Sequence, residues 1–134
     1  MKLERIDFPV VSRGKNMYAL GGENSDLTAI SSTEYYDNIT DEWTLSILMK
    51  EERCNHAAVV FRNHIFVIGG LNKHGDLLNT AEIFDTQLNQ FSSLKPMRVH
   101  RHSMAATIRG NKLNYFGGFT NNEEVISKIL ECGL

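Results

Sequence analysis

The chain has 134 residues, 42% hydrophobic and 22% charged, the composition of one modest globular domain. Its formal net charge of −2 leaves no basic excess to neutralise phosphates, which argues against nucleic acid as a partner. No apolar run approaches the ~20 residues of a membrane span, and no apolar signal core follows Met1–Arg5. Two irregularly placed cysteines, Cys54 and Cys132, fit a reduced, cytoplasmic setting better than a disulfide scaffold.

In chain order, the first strong feature is Lys15–Leu20 stopping at Gly21-Gly22; His64–Ile68 stops in the same way at Gly69-Gly70, and Asn111–Phe116 at Gly117-Gly118. The interval is 48 residues both times, so the sequence is read as a repeat before anything else. Arg5, Arg53 and Arg101 superpose at this period, as do Glu34-Tyr35-Tyr36-Asp37 and Glu82-Ile83-Phe84-Asp85, Trp43 and Phe91, and Met49 and Met97.

Each copy reads as four short strands. The first is Val10-Val11, His56–Phe61 and Met104–Ile108, rich in small and β-branched residues. Two-residue links at Arg13-Gly14, Arg62-Asn63 and Arg109-Gly110 turn it into a hairpin. The second strand is the run before the glycines. Phe66-Val67-Ile68 is apolar without alternation, which predicts burial on both faces, between other sheets. The third strand is Thr33–Tyr36 and Ala81–Phe84, followed by aspartate turns at Asp37 and Asp85. The fourth begins at Trp43 and Phe91, whose rings are expected to pack under a neighbouring sheet. The third copy's third strand is expected over Ser127–Cys132, where Glu131 fits the pattern only if the preceding loop is one residue longer. Pro9 is tolerable if the first strand lies at a sheet edge.

Four antiparallel strands at this period describe a propeller blade. The order Arg, Gly-Gly, Glu-x-Tyr/Phe-Asp, Trp/Phe, Met resembles the kelch repeat over nearly the whole chain. The expected fold is all-β: a partial kelch-type β-propeller of about three blades of four antiparallel strands, the third incomplete. Its divisions are 1–4, the end of a preceding blade; 5–52, repeat one; 53–100, repeat two; and 101–134, a truncated repeat three. A closed propeller needs about 4–8 blades, so the reading is a piece of a larger propeller or a domain that closes by self-association.

Chemistry finds little support. His100-x-His102 has no Cys or carboxylate at ligand spacing beside it. Cys54 and His56 lack an orienting third group, and neither a nucleophile elbow nor a phosphate-cradling glycine loop occurs. Some kelch-like propellers are enzymes, copper oxidases and a sugar epimerase among them, but no Tyr, Cys and His set here matches their copper ligands. The expectation is a non-catalytic module with no cofactor and no metal.

The repeat also separates scaffold from site. Residues that recur in every copy serve the blade, and those that differ at equivalent loop positions are free to meet a partner. In kelch-like adaptor proteins the partner peptide binds through the loops after the repeat arginine and after Gly-Gly. The resemblance therefore implies Arg53, Cys54, Asn55, Arg101, His102 and Ser103 from one loop set, and Asn24, Asn72, Phe119 and Asn121 from the other. The arginines would hold a carboxylate. It further implies a substrate-recognition propeller of a cullin-type ubiquitin-ligase adaptor, contacting the ligase through BTB and BACK domains absent from this chain. An actin-binding kelch protein is the alternative.

Overall fold

The computed structural model describes residues 1–121 and the backbone of residues 129–133. Its regular structure is all strand. The first sheet is a four-stranded antiparallel meander of β1 (Val10–Arg13), β2 (Asn16–Leu20), β3 (Thr33–Asp37) and β4 (Glu42–Leu45). The second repeats it with β5 (Ala57–Phe61), β6 (His64–Ile68), β7 (Ala81–Asp85) and β8 (Gln90–Ser93). The third holds β9 (Ala105–Arg109), β10 (Lys112–Phe116) and β11 (Ile129–Gly133). First strands neighbour one another, β1 beside β5 and β5 beside β9, so the sheets stand side by side as blades.

The small differences from expectation have local causes. Arg13 pairs with Asn16 and Arg109 with Lys112, so two of the hairpin links are Gly14-Lys15 and Gly110-Asn111, one residue later than expected. The left-handed residue sits first in each link: Gly14 at φ 60°, Arg62 at 56° and Gly110 at 61°. β5 and β9 begin one residue later than expected, at Ala57 and Ala105. The last strand is Ile129–Gly133, and Ser127 and Lys128 of its expected range lie outside the described residues. Pro9 precedes β1, which is an edge strand, so its missing N–H removes no ladder bond.

β6 explains the unbroken apolar run. Its side chains alternate between two cores. Ile65 and Val67 pack with Tyr18, Leu20 and Met49 of the first blade, while Phe66 and Ile68 pack with Met104, Leu113 and Tyr115 of the third. A strand with a blade on either side has no polar face to keep.

The aromatic pair closes one of these cores. Phe91 stacks on Phe84 at 4.6 Å between ring centroids, and Phe84 meets Tyr18 of the first blade edge-on at 6.0 Å. Trp43, the counterpart of Phe91, lies against Tyr36 at 5.5 Å and stays half-exposed, because no described blade lies beyond it. Between the second and third blades lies an apolar cavity of about 270 Å³, lined by Phe66, Ile83, Leu94, Met97, Leu113 and Tyr115. The third sheet has no fourth strand among the described residues and supplies no counterpart of Phe91 to fill it.

The repeat arginines hold each blade together. Arg53 is fully buried; its Nη1 donates to the carbonyls of Gly69 (2.8 Å) and Thr80 (3.3 Å), and its Nη2 to Glu82 Oε1 (3.0 Å). Arg5 repeats this with Gly21 O (2.8 Å), Ser32 O (3.0 Å) and Glu34 Oε2 (2.7 Å). The second carboxylate oxygen of Glu82 accepts from the Lys50 N–H at 2.8 Å, as Glu34 accepts from the N–H groups of Lys2 and Leu3. Residues 1–4 thus meet the first blade as the 49–52 linker meets the second. Apart from a 3.2 Å contact of Arg53 Nη2 with Glu51 in the preceding linker, these side chains bond within their own blades, and the arginine backbone crosses between them. Arg53 N donates to Ile30 O, and Gly22 N donates to Arg53 O at 2.9 Å.

This crossing requires the double glycine. A Cβ on Gly69 would lie 2.7 Å from the Arg101 carbonyl of the next blade, and one on Gly70 would lie 2.4 Å from the Cys54 carbonyl of its own. Both have positive φ, 63° and 99°.

Glu82→Ala strands the buried Arg53 guanidinium and is expected to destabilise the chain by about 3–5 kcal/mol. Urea denaturation of wild type and variant measures it, and replacing Arg53 by Met in the same chain should recover part of the loss.

Candidate functional site

At one end of the blades, the residue after each repeat arginine forms a single antiparallel bridge with the residue after each Gly-Gly. The pairs are Ile6 with Glu23, Cys54 with Leu71, and His102 with Phe119. The next residues, Asp7, Asn55 and Ser103, are all left-handed, with φ of 54°, 52° and 54°. They join head to tail across the blades: Asn55 N donates to Asp7 O at 2.9 Å and Ser103 N to Asn55 O at 2.8 Å. A non-glycine residue at positive φ carries strain, and here the inter-blade bonds hold three of them. Their side chains border one continuous loop face.

The expected site residues divide sharply on this frame. Asn55, His102, Ser103 and Phe119 come together. The His102 and Phe119 rings stack at 5.4 Å and 24°, and His102 Nδ1 lies 2.9 Å from Ser103 Oγ. Phe119 keeps 39% of its surface exposed, large for an aromatic ring that already has a stacking partner. Asn121 is exposed two residues further on.

Arg53 and Arg101 do not belong to this face. Both are buried and point into the blade, where Gly69 O and Gly117 O accept from them, so the expectation that they hold a partner's carboxylate is corrected. Cys54 is corrected likewise. It is buried, its thiol lies 3.2 Å from Glu23 Oε1, and burial first, then that carboxylate, pushes its pKa up to about 12. A thiol so far from ionising is a poor nucleophile.

Asn24 and Asn72 are half-exposed, but their side-chain carbonyls are spent on their own loops. Asn24 Oδ1 accepts from the N–H groups of Asp26 (3.0 Å) and Thr28 (3.1 Å), and Asn72 Oδ1 from those of His74 (2.9 Å) and Asp76 (3.0 Å). They are loop-shaping residues. Asn24 also lines a groove of about 740 Å³ with Ser25, Thr28, Leu48, Glu52 and Lys73, the last two paired at 3.3 Å. Two residues missing from the expected set are Asp7, exposed in the left-handed series, and Leu71, equivalent to Phe119. The 48-residue period could have found both.

His56 lies under this face between the first two blades. It is buried, and neither ring nitrogen makes a well-formed hydrogen bond among the described residues, the Leu20 backbone being its nearest polar neighbour. Burial, and secondarily the Arg53 charge, hold it well below the usual imidazole range. Among the described residues no three His, Cys, Asp or Glu side chains converge as metal ligands would.

The Kelch motif family matches residues 4–45 and 52–98. The chain belongs to the kelch family. Neither match extends into the third blade, where the fourth strand is missing from the described residues. No curated protein matches the chain significantly. Kelch repeats generally mediate protein–protein interaction and are typically non-catalytic.

A neutral His56 in the native kelch array and a titratable one in the unfolded chain set a pH dependence. The unfolded histidine takes a proton below about pH 6.5 and the native one does not. The stability it contributes is present above that pH and is lost as pH falls, by up to about 1.4 kcal/mol per pH unit. His56→Phe, borrowing the residue at the equivalent Phe8, should flatten the melting-temperature profile between pH 7.5 and 5.

Proposed function

We propose that this kelch chain is a protein-interaction module that binds a peptide or protein segment on the loop face. The observation that carries the reading is the patch of Asn55, His102, Ser103 and Phe119. These side chains differ from blade to blade, whereas the Arg, Gly-Gly and Glu residues beneath them recur. A stacked, half-open aromatic pair offers an apolar anchor, the kind of residue that dominates interface energetics. Asn55 and Ser103 offer hydrogen bonds to a peptide backbone. With Arg53 and Arg101 buried, the ligand is selected by an apolar anchor rather than by an acidic motif.

Within that reading, a substrate receptor for a cullin-type ubiquitin ligase is the finer proposal. The even 48-residue spacing and the Glu-x-Tyr/Phe-Asp turn support it. The ligase contact would run through BTB and BACK domains outside this chain. A cytoplasmic location accompanies it, supported by the buried free thiol of Cys54.

Peptides selected on the immobilised chain test the reading. Phe119→Ala and His102→Ala are each expected to weaken binding by roughly 30-fold, about 2 kcal/mol, measured by titration calorimetry. Leu88→Ala, in the exposed β7–β8 turn, should leave it unchanged. Binding that survives both loop variants would move the site elsewhere. Co-precipitation of a cullin or of actin filaments with the full gene product separates the ligase adaptor from a cytoskeletal protein.

A further inference from the structure

Between the first two blades lies a polar groove of about 440 Å³ that shares no residue with the loop patch. Asn16 and Tyr18 of β2, Tyr35 and Asp37 of β3, and Ser46 and Asn89 line it. Tyr18 and Tyr35 lie opposite each other across the strand pair, their ring centroids 6.1 Å apart. Tyr18 is only 7% exposed, yet among the described residues its hydroxyl has no hydrogen-bond partner, and neither has that of Tyr35. The Tyr18 hydroxyl is not sealed in the core but opens on the groove. A buried phenol ordinarily finds a partner for its O–H, and here that partner has to come from the groove.

The repeat shows that this lining is particular to one junction. The equivalents of Tyr18, Tyr35 and Ser46 are Phe66, Ile83 and Leu94, which line the apolar cavity between the second and third blades. Three hydroxyls thus replace three apolar groups in the same slot. The aspartate shows which charge the slot suits. In the second blade, Asp85 Oδ1 accepts from the N–H groups of Gln87 (2.9 Å) and Leu88 (3.0 Å). Its Oδ2 lies 3.5 Å from Nε2 of His64, the residue opposite it on β6. In the first blade, Asp37 Oδ1 likewise accepts from Ile39 N at 2.8 Å, but the residue opposite is Asn16. Asp37 Oδ2 has no hydrogen-bond or ion-pair partner among the described residues, and no lysine, arginine or histidine among them lines the groove. The lining is therefore rich in acceptors and carries one uncompensated negative charge.

We propose that this groove takes a guanidinium group, the side chain of an arginine presented by a protein partner. The cation fills the place beside Asp37 that His64 holds beside Asp85. Tyr18, Tyr35 and Asn16 accept its remaining N–H groups. A guanidinium carries five donors in one plane and is weakly hydrated, which suits several acceptors around a single charge. An ammonium has three donors at one point and is strongly hydrated. That the arginine belongs to a protein rests on the reading of the chain as an interaction module. The groove does not depend on the loop face, so either site can fail alone.

The probe is N-acetyl-arginine methylamide, titrated into the full, isotopically labelled chain and followed by NMR. The proposal expects saturable shifts at Asn16, Tyr18, Tyr35 and Asp37, and none with the citrulline analogue, which keeps the shape without the charge. Asp37→Asn retains an acceptor for the Ile39 N–H and should weaken binding about tenfold, the loss of one charge-assisted bond. Tyr18→Phe together with Tyr35→Phe, the first borrowing the residue of Phe66, should weaken it by a similar factor. Phe119→Ala should leave it unchanged. The absence of saturable shifts at the groove in the wild-type chain, a lysine analogue that binds as tightly as arginine, or undiminished binding by Asp37→Asn would each overturn the proposal. Selected peptides that depend on Phe119 while the arginine probe does not bind would keep the loop-face reading and reject this one.

Discussion

Each kelch blade depends on one buried cation. The guanidinium of Arg5 or Arg53 draws together the end of the second strand, the start of the third and a glutamate within it. The loop between those strands is thereby tied at its base and can differ above it: Glu23–Asp26 in one blade, Leu71–Gly75 in the next. An ion pair this deep is not a source of net stability by itself, since desolvation offsets most of the attraction. Its role is to fix where the variable loops leave the sheet. Site and scaffold therefore touch at the arginine, whose side chain belongs to the blade and whose next two residues belong to the loop face.

The blades also share their cores. β6 faces both neighbours, so the second blade is the one described blade with both flanks covered, and its residues dominate the most buried positions. The first blade leaves Val10, Met17 and Leu45 exposed. Among the described residues the third supplies no aromatic to fill the cavity beside Tyr115. Stability in such an array is a sum of blade terms and nearest-neighbour terms, and the loop patch rests largely on the third blade, the least complete of the three.

Much of this was legible in the sequence because the repeat is gapless over two full periods. Strand order, the buried second strand, the scaffold roles of Glu34 and Glu82, and the aspartate turns all follow from residue types at fixed spacing. The site was read less well. Arg53 and Arg101 carry a side chain that reaches either a ligand or the blade interior, and spacing cannot distinguish the two. Cys54 sits between a half-exposed asparagine and a buried arginine, and its burial, with the bridge to Leu71, is seen only in the structure. Asn24 and Asn72 are the instructive pair. They recur in two copies and give way to Thr120 in the third, so the recurrence rule left them among the site candidates, and only their bonds within their own loops show the scaffold role.

The junction between blades has a direction. In both described junctions the N–H of the second glycine reaches forward to the next arginine carbonyl, and the left-handed residue reaches back to its predecessor. Donor and acceptor are never exchanged. The array is therefore vectorial, like a row of identical plugs and sockets, and a blade can be joined to it in one orientation only. Such a row can gain or lose a unit by duplication or deletion of a 48-residue segment without new joint chemistry. The joints that keep the blades in line leave the loops above them free to diverge.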